Sequence, residues 1–120
     1  MNKQQLEDRL INFAVQVISL SNEMPSTKAG NHLAGQLIRS GTSPALNYGE
    51  SRSAESMKDF IHKLQIILKE LRESYICLKI IWRAKLHQND KLLNPALAEC
   101  DELISIFVKS IQTSKKKFGK

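Results

Sequence analysis

From Ser56 to Leu86 the chain contains no glycine and no proline, and its apolar residues recur with a helical period. A stretch of about 30 residues at 1.5 Å per residue predicts a rod about 45 Å long. Ser56-Met57-Lys58-Asp59 has the form of a capping box with Asp in place of Glu, which fixes where the rod begins. No other feature restricts the fold as strongly.

Three further segments carry the same period. Leu6, Leu10, Phe13, Ala14, Val17 and Ile18 form one apolar stripe, ended by Met24-Pro25-Ser26. A second helix is expected from about Lys28 to Glu50, with Leu33, Leu37 and Ile38 apolar. Its middle, Ser40-Gly41-Thr42-Ser43-Pro44, is poor helix material and predicts a kink or break near Pro44. After a polar loop at His87-Gln88-Asn89-Asp90, Asn94-Pro95 offers an N-cap with proline at the first helical position. Leu97, Cys100, Leu103, Ile104, Phe107, Val108 and Ile111 make the fourth stripe.

Four amphipathic helices on short connections predict one all-α domain over residues 1–120, an antiparallel up-and-down four-helix bundle. The expected helices cover 5–22, 28–50, 56–86 and 94–114, followed by a basic, fraying tail over 115–120. Five glycines and three prolines are too few for a many-stranded β-sandwich. A hydrophobic share of 42% and a charged share of 25% exclude a disordered chain.

On a helical wheel, Met57, Phe60, Leu64, Ile67, Leu71, Tyr75, Leu78 and Trp82 form one broad core face of the rod. Ile66, Ile76, Cys77, Ile80, Ile81 and Ala84 point elsewhere, so the stretch from Tyr75 to Trp82 is apolar nearly all round. A bundle covers one face of a helix, so Ile76, Ile80 and Ile81 are candidates for a contact between subunits. The competing explanation is that the kinked second helix, or the loop near Leu92 and Leu93, wraps them.

Lys58, Lys69, Arg72, Lys79 and Arg83 cluster on one side of the same wheel. Together with Lys115, Lys116 and Lys117 they are the candidate contacts for nucleic-acid phosphates, in a chain with 18 Lys and Arg against 12 Asp and Glu, net +6. The plainer account is a solvated flank whose Lys and Arg stems cover apolar neighbours.

Catalytic chemistry has little to stand on. Asp59-Phe60-Ile61-His62 is a single acidic-x-x-His match with no second copy, so neither metal nor cofactor is expected. Arg83 and His87 stand too close together for the Arg–His pair of small helical ribonucleases, and His87 is expected as a cation in the loop after the rod. Cys77 and Cys100 have no metal-like spacing. Only seven aromatics are present, with no recognisable exposed stacking platform. The chain is therefore expected not to be an enzyme. No signal peptide or membrane span is legible, which predicts a cytoplasmic protein.

Two sequence blocks carry a resemblance. Gln36-Leu37-Ile38-Arg39-Ser40-Gly41-Thr42-Ser43 with Asn47 and Glu50 is one; Ser56 to Leu64 with Leu68-Lys69-Glu70 is the other. Together they resemble the bacterial four-helix bundle proteins encoded in intervening sequences of 23S ribosomal RNA genes, often labelled S23 ribosomal protein. The resemblance covers about residues 5–115. It implies an antiparallel bundle, assembly as a ring-like homopentamer, and association with RNA or DNA without catalysis. The alternative is a homo-oligomeric protein-interaction scaffold whose protein partner the sequence does not identify. Asn47 and Glu50 are read as structural, satisfying backbone groups freed at the Pro44 break.

Overall fold

A computed structural model of the chain describes residues 1–119. Four helices follow one another: α1 Lys3–Asn22, α2 Lys28–Ser51, α3 Met57–Arg83 and α4 Asp90–Phe118. Each is in contact with its neighbours α1–α2, α2–α3, α3–α4 and α4–α1, so α1 lies diagonally opposite α3 in a bundle 51 Å long. The expected four-helix bundle is the observed fold.

Side chains close the helix starts. Asn2 accepts from the N–H of Gln5 while Gln5 returns a bond to the Asn2 N–H, a complete capping box. Thr27 and Ser56 accept from Gly30 and Asp59. The core includes Leu10, Phe13, Leu37, Leu64, Leu71, Leu78, Leu103 and Phe107. Phe107 meets Tyr48 edge-to-face, with ring centroids 5.9 Å apart.

Pro44 neither breaks nor ends α2, which is continuous from Lys28 to Ser51. A buried proline within a helix forfeits one hydrogen bond, a cost of about 3 kcal/mol that packing must offset. The small residues beside it permit that packing. A Cβ on Gly41 would lie 2.6 Å from Val17 Cγ2, so α1 and α2 meet where only glycine fits. Ser40 Oγ accepts from the Ser74 hydroxyl of α3 at 2.9 Å, in the buried seam between those helices. The segment read as helix-poor is where α2 touches both neighbours.

Of Asn47 and Glu50, only Asn47 bonds a backbone group, and it does so without a break at Pro44. Asn47 Nδ2 donates to the Ser43 carbonyl at 3.0 Å and the Ser43 hydroxyl at 2.8 Å, within an unbroken helix. Glu50 faces Lys63 of α3 at 3.5 Å instead of a backbone group.

The two ends of the α3–α4 connection also move. α3 ends at Arg83, before Leu86, in a Schellman motif: Leu86 N–H donates to the Ile81 carbonyl and Lys85 N–H to the Trp82 carbonyl. Lys85 takes the left-handed position, φ 55°, usually given to glycine. α4 begins at Asp90, capped by the Asn89 side chain, and Pro95 lies inside it. The helix thus starts a full turn ahead of the expected N-cap. Lys115, Lys116 and Lys117 do not fray; they form the last turn of α4, where cations suit the helix dipole. Lys120 of the expected tail lies outside the described residues.

Candidate nucleic-acid interface

The side of α3 that faces the core is rotated from the wheel assignment. Ile61, Leu64, Ile67, Leu71, Ser74, Cys77, Leu78 and Ile81 are buried. Ile81, expected at a subunit contact, is 1% exposed and belongs to the core, whereas Trp82, expected in the core, is 52% exposed. Tyr75 is only partly buried and Met57 is exposed. Ser74 explains the rotation. A serine counts as polar on a wheel, yet its hydroxyl is satisfied by Ser40 and by the Glu70 carbonyl, so it enters the seam without penalty.

Ile76 and Ile80 stay outside the core, 55% and 46% exposed. They fall on the same side of α3 as Lys69, Arg72 and Arg83, one to two turns away. Together with Lys69, Arg72 and Leu68 they line a groove of about 820 Å³ between α2 and α3. The apolar and basic candidates form one surface.

The carboxylates beside that surface are already engaged. Arg39 of α2 reaches Glu70 at 3.0 Å and Glu73 at 2.6 Å, joining α2 to α3. Those bonds raise the Arg39 pKa, the Glu73 hydrogen bond foremost. Lys58, Lys69, Arg72 and Arg83 are exposed and make no ion pair among the described residues. Lys79 is half-buried, its ammonium 5.4 Å from the Tyr75 ring centroid.

No match was found among curated proteins. The family model for 23S rRNA-intervening sequence protein matches residues 3–109. The chain belongs to that family. A crystal structure of a protein of unknown function from the S23 ribosomal protein family of Bacteroides thetaiotaomicron is also similar. It shares 27% identity at a TM-score of 0.83, covering 93% of this chain and 99% of that one. Nearly the whole bundle of this intervening-sequence family member therefore has a counterpart in that structure, and no helix among its described residues is long and apolar enough to cross a membrane.

Sequence reasoning named Lys58, Arg83 and Lys115 but missed what stands beside them at the two ends of the stripe. At the start of α3, Lys58 and His62 share a cleft of about 320 Å³ with Lys115 and Phe118 of α4. Phe118 is 57% exposed. At the other end, Trp82 borders a cleft with Arg83 and Lys85. Each end thus pairs one exposed aromatic with two cations, which at the Trp82 end share their cleft with the carboxylate of Asp90. Lys115 was legible only as part of a tail, because its position beside Lys58 depends on α4 staying helical to its last turn.

His87 is not solvated as expected after α3. Its side chain is buried, and Nδ1 accepts from the Asn89 N–H at 3.1 Å. Nε2 is 3.8 Å from Glu23 Oε1 and has no hydrogen-bond partner. Among the described residues, no three His, Cys, Asp or Glu come together as a metal site would require.

Proposed function

We propose that the chain is a non-enzymatic, self-associating protein that binds single-stranded RNA or DNA through the ends of the α3 basic face. The observation that carries this reading is the convergence of Lys58, Lys115 and Phe118 on one cleft, beside a face whose flanking acids are held by Arg39. Cations along a rigid helix match phosphate charge, and exposed aromatics accept unpaired bases by stacking. Duplex offers the phosphates but not the bases. Wild-type protein should therefore bind a single-stranded oligonucleotide more tightly than a duplex of the same length, with a steep negative dependence of log affinity on log salt. Equal, salt-insensitive binding, or none, contradicts the proposal.

Self-association has its own support in Ile76 and Ile80, two large apolar side chains left in water toward the Arg83 end of the face. A subunit contact there leaves the distant end with Lys58, Lys115 and Phe118 free. The ring-like pentamer implied by the resemblance is the assembly we propose. Sedimentation equilibrium at micromolar concentration tests it, and a single 13.6 kDa species contradicts it.

A further inference from the structure

The four helices do not reach equally far at the end of the bundle where α1 begins. Arg9 of α1 bonds to Glu99 and Glu102 of α4. Counted along two antiparallel helices of equal rise, Lys3 is therefore level with residues 105–108. α4 continues to Phe118, about ten residues or about 15 Å further. Glu7 meets Arg52, the C-cap residue of α2, so α2 stops near the same level as α1. α3 keeps pace with α4, since its first turns share a cleft with Lys115 and Phe118. Two helices outrun the other two.

Where α1 and α2 fall short, the bundle interior opens as a cleft of about 720 Å³. The core residues Leu6, Tyr48, Leu64 and Phe107 reach it, and Phe60 lines it half-buried. Lys3, Lys109 and Lys117 also line it, all exposed and without an ion pair among the described residues. No Asp or Glu is among the described residues that line it. Lys3 is ill placed for its own helix: the first turn of α1 holds no acid, and the positive end of the helix dipole opposes a cation there. An anion beside Lys3 and Lys109, which are close in level, is favoured by both lysines and by the dipole.

We propose that this cleft binds the anion of a long-chain fatty acid, with the alkyl tail along the apolar walls and the carboxylate at Lys3 and Lys109. Each half of the cleft matches one half of that ligand. Inorganic phosphate would leave the walls wet, and a neutral hydrocarbon would leave the lysines unused. A nucleobase would press hydrogen-bonding edges against Leu64 and Phe107, which costs free energy. An alkyl tail has no polar group to satisfy and gains about fourfold in affinity for each methylene buried. A second copy seated here about a two-fold axis would set the three lysines against their own equivalents, which is repulsive. The cleft shares no lining residue with the one formed by Lys58, Lys115 and Phe118, so the inference does not rest on nucleic-acid binding.

Titration calorimetry of the wild-type chain with dodecanoate, below its micelle-forming concentration, tests this. Binding should saturate at one molecule per chain. The shorter octanoate should bind at least about tenfold more weakly, and uncharged dodecanol about tenfold more weakly. The double variant Lys3→Gln, Lys109→Gln should lose about tenfold for dodecanoate and nothing for dodecanol. Ser110→Trp, which sets bulk between the walls, should abolish binding of both with wild-type helical circular dichroism. Should it lose helicity, Met57→Glu, at an exposed position of the same cleft, takes its place. No saturable binding, equal affinity for dodecanoate and octanoate, or binding that these variants leave unchanged overturns the proposal. So does binding to phosphatidylglycerol vesicles without binding to dodecanoate, which would make the cleft a bilayer contact.

Discussion

Lys58 at the start of α3 and Lys115 in the last turn of α4 line one cleft, though they are far apart in sequence. Bringing two ammonium groups together is unfavourable unless an anion is shared between them. No carboxylate is paired with either among the described residues. Two cations on one cleft, with Phe118 beside them, support the phosphate site proposed above.

The aromatic ends predict a specific loss. Trp82→Ala and Phe118→Ala should each weaken binding of single-stranded RNA by about 1–3 kcal/mol while leaving duplex binding nearly unchanged. Fluorescence anisotropy with both oligonucleotides checks it. Equal losses on the two would show that the aromatics hold the fold and not the bases.

Two glycines of α2 should respond with opposite sign. At Gly35 a Cβ meets nothing within 4 Å, so Gly35→Ala should stabilise by about 0.5–1 kcal/mol through helix propensity alone. At Gly41 the same atom would lie 2.6 Å from Val17, so Gly41→Ala should destabilise by about 1–3 kcal/mol. Urea unfolding of both variants decides the signs.

Lys85 holds a left-handed backbone that L side chains adopt at a cost of about 1 kcal/mol. Lys85→Gly should raise the unfolding midpoint, since the Schellman bonds at the end of α3 survive the change. A lower midpoint would mean that the lysine side chain matters more than its backbone.

Burial, ahead of the charges of Asp101 and Glu99, pushes the Cys100 thiol up to about 12 from an ordinary value of 9.0, and its Sγ donates to the Leu71 carbonyl. Burial also raises Cys77. A rise of that size lowers the thiolate fraction about 1000-fold, so alkylation of Cys100 at pH 8 should be at least that much slower in the folded protein than in the unfolded one. The sign for stability follows. A thiol with a raised folded pKa favours the folded state below pH 9, and that preference fades progressively between pH 9 and about 12. Mass-detected alkylation and alkaline denaturation read the two effects.

Periodicity and capping made the four helices and the bundle legible, because long apolar stripes leave few other ways to exclude water. The misplaced details have a common physical origin. Ser40, Gly41 and Pro44 read as breakers in isolation, yet tertiary contacts with Val17 and Ser74 offset their local cost. Ser74 reads as polar, yet a local hydroxyl bond lets it enter the core and turns Trp82 outward. The basic stripe was visible on the wheel. Its junction with Lys115 was not, since that proximity exists only once α3 and α4 are packed.

The measurement that bears most directly on the proposed function is the salt dependence of single-stranded RNA binding by wild type and by the double variant Lys58→Gln, Lys115→Gln. If the two ammonium groups meet phosphates, the log–log slope should flatten by about 1.4, at about 0.7 for each single-strand phosphate no longer neutralised, with helicity and assembly unchanged. A slope identical to wild type in a folded, assembled variant would place the nucleic-acid site elsewhere and contradict the account.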